Sequence, residues 1–337
     1  TSCAFDSSNN KVVVSYRDAG NSSYGTGIVG TVSGTSISFA TPVVFDAGGF
    51  IDNISSTFDP VANKVVVAYR DGGNSNYGTA IVGTVSGTSI SYGTAVVFES
   101  AGSRFNAIVF DSDSNKVVIS YKDAGNSGYG TAIVGTVSGT AISFGTAAVF
   151  ASAESEQIST TFDSNSNKVV VGYRVDGVGW YGTAIVGTVS GTSISFGTAV
   201  TFAASSTTSL SATFDSNSNE VVISYKDAGN SNYGTGVVGT VSGTAISFGT
   251  AVAFESARSD VIVSTFDSDS NKVVTAYKDY GGSGYGEGVV GTVGNGFTTG
   301  SKYYVTTTGS YSTSAGSPSV NAGLAISTTS LLLNGDT

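Results

Sequence analysis

The chain repeats itself, and this repeat constrains the fold more than any other feature. The phrase Phe-Asp, followed after a short turn by a valine-rich run, occurs six times in 337 residues, at intervals of 53, 52, 52, 52 and 52. The phenylalanines that mark the copies are Phe5, Phe58, Phe110, Phe162, Phe214 and Phe266. Repeats of this length are typical of arrays in which each unit buries its apolar faces against its neighbours.

Each copy is predicted to form four antiparallel strands. In the second copy, strand A ends at Asp59, strand B covers 64–70, strand C covers 77–85 and strand D covers 90–98. The A–B turn contains Asp, Pro and Asn, which favour tight turns, and Ser-Gly between strands C and D suits a two-residue hairpin. Short strands separated by such turns predict an all-β fold.

The faces of these strands favour sheets that are covered on both sides. Strand B is apolar on both faces, as in a sheet buried on both sides. Strand C is rich in Gly, Ala and Thr, and glycine inside a strand often marks a close approach by another segment. We therefore predict a six-bladed β-propeller of four-stranded antiparallel blades, with the Thr-Phe-Asp strand innermost. An open stack of sheets is the alternative, but it needs polar terminal repeats, which neither end has.

The predicted propeller covers residues 1–305, and 306–337 form a short C-terminal β segment or attachment cassette. Within the propeller, residues 302–305 are expected to supply strand D of the sixth repeat. The chain begins at Thr1 and contains no Met, which we interpret as a processed chain or an excerpt that further blades could precede. The repeats lie near 1–53, 54–105, 106–157, 158–209, 210–261 and 262–305.

Composition argues against several classes of function. A net charge of −10 opposes nucleic-acid binding, which depends on basic contacts to phosphate. No apolar run is long enough to predict membrane insertion. The chain has no His and one Cys, so it has no Ser-His or Cys-His catalytic pair and no Cys/His zinc site. We expect no cofactor, no metal and no enzymatic activity.

Two groups of acidic residues are candidates for a metal site or for catalysis. The Asp-x-Asp-x-Asn segments at 111–115 and 267–271 resemble the start of a calcium loop but lack its later ligands, so we interpret them as hairpin turns. A carboxylate pair for glycoside hydrolysis could come from Asp52, Glu154, Glu156 or Asp260. Nothing in the sequence singles out one pair, so glycan degradation remains an alternative function.

The B–C loop, Asp-Ala-Gly-Asn-Ser-x-Tyr-Gly in most copies, is the candidate binding element. Its Asp and Asn are expected to bond the loop backbone. The position before Tyr varies, and in the fourth repeat it holds Trp180, the only Trp of the chain. An aromatic ring beside polar groups suits binding of a sugar. The candidate ligand-binding residues are Asn74, Asn76, Tyr77, Asn126, Tyr129, Trp180, Tyr181, Asn230, Asn232 and Tyr233.

The D-to-A connectors are the parts that differ most between copies. We expect them to be variable loops on the same face as the B–C loops, with Trp180 accessible to solvent beside 151–157 and 203–209. Variable loops on a rigid scaffold are a common place for binding functions. The five connectors are residues 46–52, 99–105, 151–157, 203–209 and 255–260.

The repeat core TFDSNSNKVVVGYR and YGTAIVGTVSGTSISFGTAV resembles repeats of tail-fibre-like proteins of marine phages and of bacterial surface proteins. The tail GSKYYVTTTGSYSTSAGSPSVNAGLAIS resembles a C-terminal cassette of phage virion proteins. The resemblance implies a location on a virion or at the cell surface, and an adhesive or structural role. It supplies no catalytic residue.

The sequence therefore favours a non-enzymatic protein that binds a cell-surface glycan or a host receptor through one propeller face. Other virion or surface subunits are expected partners, and the sequence leaves assembly into a homo-oligomer open. A purely structural fibre or capsid-decoration module without a ligand is the main alternative.

Overall fold

The computed structural model describes residues 1–177, 179–281 and 284–293, and the backbone of strands between 302 and 333. It contains two compact units, one of Thr1–Val169 with Gly187–Phe196 and one of Val170–Val186 with Gly197–Thr337. The regular structure described is antiparallel β-sheet, apart from two short 3₁₀ helices, Ala124–Asn126 and Ala228–Asn230. Among the described residues no helix has the length and apolar character needed to span a membrane.

The first three repeats have nearly the same strand pattern. Their strands are β1 (Ser2–Asp6), β2 (Lys11–Asp18), β3 (Tyr24–Ser33), β4 (Ser36–Phe39), β5 (Val43–Asp46), β6 (Ile51–Asp59), β7 (Lys64–Asp71), β8 (Tyr77–Ser86), β9 (Ser89–Tyr92), β10 (Val96–Asp111), β11 (Lys116–Asp123), β12 (Tyr129–Ser138), β13 (Ala141–Phe144) and β14 (Ala148–Asp163).

The later repeats continue this pattern. Their strands are β15 (Lys168–Val175), β16 (Tyr181–Ser190), β17 (Ser193–Phe196), β18 (Val200–Asp215), β19 (Glu220–Asp227), β20 (Tyr233–Ser242), β21 (Ala245–Phe248), β22 (Val252–Asp267), β23 (Lys272–Asp279) and β24 (Tyr285–Gly291).

The expected strand D is divided, and this corrects the prediction for the connectors. In the second repeat β9 pairs with the far half of β8, and β10 then pairs with the near half, from Ala80 to Tyr77. The same 16-residue strand continues to Asp111 and pairs with β11 of the third repeat. The connectors 99–105, 151–157, 203–209 and 255–260 are therefore strand segments, not loops.

A bulge explains how one strand serves two repeats. The register of β10 against β11 shifts between Arg104 and Ala107, and Phe105 has a φ of 53°. The corresponding residues Gln157, Ser209 and Val261 also have positive φ. An extra residue at a bulge bends a strand without ending it. Residues 46–52 are the exception, since the chain leaves β5 at Asp46 before entering β6.

The core forms where strand B meets the aromatic residue of the preceding repeat. Tyr121 of β11 is fully buried, and its ring centroid lies 5.2 Å from that of Phe98. Phe98 also lies 5.8 Å from Phe144 of the next repeat. The predicted burial of strand B on both faces is confirmed, since Val117, Val118 and Ile119 are fully buried.

Close approach between repeats explains a glycine within strand C. A Cβ on Gly27 of β3 would lie 1.9 Å from the hydroxyl oxygen of Tyr92 in the second repeat. No side chain fits there, which confirms the expectation that glycine in strand C marks a close neighbour.

The first strands of consecutive repeats are linked by serine. Ser55 Oγ accepts a hydrogen bond of 3.2 Å from the Ile108 amide, and Ser211 Oγ accepts one of 2.9 Å from the Ser264 amide. Within its own sheet this strand pairs only with strand B, as β1 does with β2. This strand is therefore a sheet edge that is bonded to its counterpart in the next repeat.

The C-terminal region forms a separate four-stranded sheet of β25 (Lys302–Val305), β26 (Tyr311–Ser312), β27 (Val320–Ala325) and β28 (Leu331–Leu333). Residues 302–305 pair with β26 and β27, so they are not strand D of the sixth repeat as the sequence predicted. The tail no longer carries the repeat pattern, and its strands form backbone hydrogen bonds with one another instead. The rest of the predicted cassette lies outside the described residues.

Candidate functional site

The B–C loops contact the connectors in each of the first five repeats. The last loop residue accepts a backbone hydrogen bond from the following repeat, as between Thr207 N and Trp180 O at 3.1 Å. Asn76 and Asn232 accept equivalent bonds from Ser103 and Ser259. The expected proximity of loops and connectors is confirmed within each of these pairs, and Trp180 is half-buried beside 203–209.

The loop aspartates bond the loop backbone, as the sequence predicted. Asp123 Oδ1 accepts hydrogen bonds from the amides of Gly125 at 2.9 Å and Asn126 at 3.2 Å. Asp71 accepts from the Asn74 amide at 3.0 Å. An aspartate in this position stabilises the turn, because its carboxylate oxygen accepts hydrogen bonds from the turn amides.

The other candidate residues fall into three groups. Asn74, Asn126 and Asn230 are exposed at the tips of the loops. Asn76 and Asn232 are half-buried with φ near 65°, where Asn is tolerated better than most residues. The half-buried tyrosines start strand C opposite the connector, as Tyr181 faces Ser206; the group is Tyr77, Tyr129, Tyr181 and Tyr233.

Trp180 has an unusual backbone conformation. Its φ is 62°, in a position where the other repeats carry Ser, Asn or Gly. A bulky residue in the left-handed region is strained by about 1–3 kcal/mol, and such strain is often found at functional sites. The guanidinium carbon of Arg174 lies 4.5 Å from the centroid of the Trp180 ring. The cation holds one ring face, while the side chain remains partly accessible to solvent.

Two similar ring–cation pairs were missed by sequence reasoning. Arg70 lies 5.7 Å from the centroid of Phe50, and Lys278 lies 4.7 Å from that of Tyr280, which Arg258 also contacts at 4.6 Å. Phe50 and Tyr280 are 41% and 43% exposed. The available signal was an aromatic residue where the other copies have a non-aromatic one: Tyr280 replaces the usual Ala of Asp-Ala-Gly.

The acidic residues of the connectors are engaged in ion pairs. Asp52 accepts a hydrogen bond of 2.9 Å from Arg70, and Lys122 bonds both Glu154 and Glu156. Burial opposes the charge of Asp260, but the Lys226 ammonium and the Arg258 guanidinium outweigh it and hold the pKa of Asp260 below its ordinary value. A carboxylate held in its charged form suits charge neutralisation better than proton donation.

A second set of carboxylates lies beside the buried tyrosines. The Tyr121 hydroxyl donates to Glu99 at 3.0 Å, and burial, followed by the nearby Asp123, raises the pKa of Glu99. Glu255 of the fifth repeat and Asp279 and Glu287 of the sixth bring carboxylate oxygens within 4.8 Å of one another. The Tyr277 hydroxyl donates to Glu255 at 3.0 Å. Carboxylate oxygens of this kind could ligate a hard cation such as calcium.

The A–B turns are hairpin turns, and each is stabilised by its aspartate. Asp111 Oδ1 accepts from the amides of Asp113 and Ser114, and its Oδ2 accepts from the Ser114 hydroxyl at 2.6 Å. Asp267 bonds its turn in the same way, and the Ser270 hydroxyl in particular lowers the pKa of Asp267. The hairpin interpretation of the Asp-x-Asp-x-Asn segments is confirmed by these bonds.

No protein-family model matches the chain, and no curated protein matches its sequence. Solved structures that are similar in fold include the following three. The BP39L lectin from Burkholderia pseudomallei has a TM-score of 0.63 at 11% identity, over 88% of this chain and 82% of that chain. A triple arginine-to-alanine mutant of AofleA from Arthrobotrys oligospora has a TM-score of 0.53 at 10% identity, over 96% and 86%.

The β-propeller domain of Cps50 (Swd1) from Myceliophteria thermophila has a TM-score of 0.52 at 8% identity, over 83% of this chain and 80% of that chain. At such low identity these likenesses bear on the fold alone. They show that this chain of antiparallel sheets has a fold of the β-propeller kind.

Proposed function

We propose that this chain is a non-enzymatic carbohydrate-binding protein of a phage virion or a cell surface. The observation that carries the proposal is Trp180, a strained and partly exposed ring held on Arg174 among hydrogen-bonding side chains. One face of a pyranose presents C–H groups that pack against the electron-rich face of an aromatic ring. The virion or surface location rests on the resemblance of the repeats and the tail to phage and bacterial surface proteins.

The fold neighbours support this proposal. One of them is named as a lectin, and another was studied with three substituted arginines that are evenly spaced along its chain. The present chain also carries an evenly spaced basic residue near the end of strand B. These residues are Arg17, Arg70, Lys122, Arg174, Lys226 and Lys278.

A glycan array tests the proposal directly. We expect the protein to bind a subset of glycans, and Trp180→Ala to reduce that binding at least tenfold, while the melting temperature stays close to that of the wild type. Phe5→Ala is the matched control, because Phe5 is 55% exposed and makes no described ring–cation pair. Full binding by Trp180→Ala, or no binding to any glycan by the wild type, would contradict the proposed function.

The scaffold of the proposed function is a closed ring of six blades. Its support is the apolar face of the first repeat, where Ile37 is 44% exposed and Phe39 is 51% exposed. In the next repeats the equivalent face is covered by the preceding repeat, and Ile90 and Ile142 are only 4% exposed. Closure of the ring would bring the sixth repeat onto this face.

Charged substitutions distinguish a closed ring from an open array. In a closed ring Phe39→Asp should destabilise the protein about as much as Phe144→Asp, whose ring packs 5.8 Å from Phe98. The expected loss is about 3–5 kcal/mol for each, because a buried aromatic side chain is replaced by a charge. In an open array Phe39→Asp would have almost no effect on the urea midpoint, while Phe144→Asp would still lower it.

A further inference from the structure

Three of the described ring–cation contacts involve the basic residue at the end of strand B, and these occur in every second repeat. Among residues 1–177, 179–281 and 284–293, the basic side chains at the end of strand B that contact a ring are Arg70, Arg174 and Lys278, in the second, fourth and sixth repeats. In the third and fifth repeats the equivalent lysine bonds carboxylates, as Lys122 bonds Glu154 and Glu156. What alternates is the ring: it is present in every second repeat, even in the second, where Asp52 also pairs with Arg70.

The three rings reach this position from different parts of the backbone. Phe50 precedes strand A, Trp180 ends the B–C loop and Tyr280 begins it. In the second repeat the Gly72 amide donates to Phe50 O, and in the sixth the Tyr280 amide donates to Arg258 O at the equivalent position. The ring residue is the acceptor of this backbone hydrogen bond in the second repeat and the donor in the sixth. Such convergence is difficult to explain by repeat duplication alone.

The second repeat also makes room for its ring. It carries Gly72 where the first, third and fifth repeats carry Ala. A Cβ on Gly72 would lie 2.4 Å from Cε1 of Phe50, so an alanine would displace the ring. The exposed ring and the glycine beneath it are thus coupled.

The charges around the rings indicate the class of ligand. Arg70 is paired with Asp52 at 2.9 Å, and Arg258 with Asp260 at 2.8 Å. Arg70 has a carboxylate partner of its own, and Arg258 shares Asp260 with Lys226, so carboxylates offset part of the positive charge beside these rings. The net charge of −10 also repels polyanions. An apolar ring surface of this kind suits the C–H face of an uncharged sugar.

We infer that the protein has three binding sites for neutral pyranoses, at Phe50, Trp180 and Tyr280, in alternating repeats; this inference rests on the proposed function of the Trp180 site. Three weak sites on one chain favour glycans that are displayed at high density. Linked sites of this kind can raise avidity by about 10²–10⁴ over a single site.

Relocation of the single Trp tests each site separately, because the chain has no other Trp to contribute fluorescence. Three proteins are titrated with methyl α-mannoside, methyl α-galactoside and methyl α-fucoside, each alone. They are the wild type, Trp180→Phe with Phe50→Trp, and Trp180→Phe with Tyr280→Trp. Trp180→Phe with Phe5→Trp is the control, since Phe5 makes no described ring–cation pair.

We expect at least one of these sugars to change the emission with the reporter at positions 50, 180 and 280, and not at position 5. Adding Gly72→Ala to the Phe50→Trp protein should weaken the response there about tenfold and leave a reporter at position 280 unaffected. Raising the salt from about 0.1 to about 1 M, which shortens the Debye length from about 10 to about 3 Å, should change the affinities less than twofold.

Three results would overturn the inference. A response at Trp180 with silent reporters at 50 and 280 leaves the proposed function intact and reduces the chain to one site. Stronger binding of methyl sialoside than of the neutral sugars, with a steep salt dependence, contradicts the neutral class. Silence at every position with all three neutral sugars removes both the proposed function and the three sites.

Discussion

The A–B turns and the B–C loops lie at opposite ends of strand B and use their aspartates under different constraints. At the A–B turn Asp111 is 4% exposed and accepts three hydrogen bonds from its own turn. At the B–C loop Asp123 also bonds the backbone, but the residues around it vary from repeat to repeat and include the ring–cation pairs. The A–B turn keeps nearly the same structure in every repeat and stabilises the fold, whereas the residues of the B–C loop vary on the same scaffold.

Of the changes that compare the two ends of strand B, the largest effect on stability is expected at the A–B turn. Asp111→Ala leaves two turn amides and a hydroxyl without their buried acceptor, so we expect the free energy of unfolding to fall by about 1–2 kcal/mol. Urea denaturation measures this loss, and Ser112→Ala is the control at an exposed position of the same turn. Glycan binding should stay at the wild-type level below the transition. If the folded variant also lost glycan binding, the A–B turn would take part in binding, and the two ends would not have separate roles.

The opposite result is expected for Trp180→Asn at the loop end. Asn tolerates a φ of 62° better than Trp, which relieves strain, but the contact with Arg174 is lost. These effects oppose each other, so stability should stay within about 1 kcal/mol of the wild type while glycan binding is lost. A stability loss above about 3 kcal/mol would instead identify Trp180 as a core residue.

Two carboxyl groups, one near each end of strand B, should affect stability with opposite pH dependence. Asp267 at an A–B turn has a lowered pKa, so its contribution to stability is present above its ordinary pKa of 3.8 and is lost as pH falls through the folded value. Glu99 near a B–C loop has a raised pKa, so its contribution is full below 4.5 and is lost as pH rises through the folded value.

Two neutral variants isolate these contributions. Asp267→Asn should be less stable than the wild type at neutral pH, with the difference shrinking in acid. Glu99→Gln keeps an acceptor for Tyr121, and its stability relative to the wild type should rise as pH rises above 4.5. Melting temperatures measured between about pH 3 and pH 8 give both trends. Parallel curves for the two variants would show that the ends do not differ electrostatically.

The smallest effect is expected from metal removal. The Tyr277 hydroxyl bonds Glu255, and the Asp279 carboxylate accepts from the Gly281 amide at 2.8 Å, so internal donors already serve part of the cluster with Glu287. We expect a chelator to leave the melting temperature unchanged. A drop of more than about 4 °C on chelation, restored by calcium and absent in Glu287→Thr, would show that this cluster holds a cation.

Sequence reasoning succeeded where a pattern is repeated and local. Asp111 and Asp123 were expected to bond their own turns, because an aspartate reaches backbone amides two or three residues on. Strand B was predicted as buried on both faces, and Val117 to Ile119 are. The candidate site was found only in part: Trp180 was identified as an unusual residue, whereas Phe50 and Tyr280 were not.

The failures concern contacts between distant residues. The connectors looked like loops because they vary, yet 99–105 continues β10, since a bulge lets one strand pair with two repeats in turn. Variation alone does not distinguish an exposed loop from an edge segment whose backbone is bonded. Residues 302–305 were assigned by their position in the repeat, but their pairing with Val320–Ala325 depends on residues further along the chain.

The sequence by itself determined the period, the antiparallel strands and the chemistry of the turns, because each depends on residues a few positions apart. Only the tertiary structure decided which side chains meet across repeats. Arg70 and Phe50 are 20 residues apart, Arg174 and Trp180 six, and Lys278 and Tyr280 two, yet all form the same contact. No fixed spacing encodes that contact. It arises because the fold brings rings from three different places in the backbone to the end of strand B.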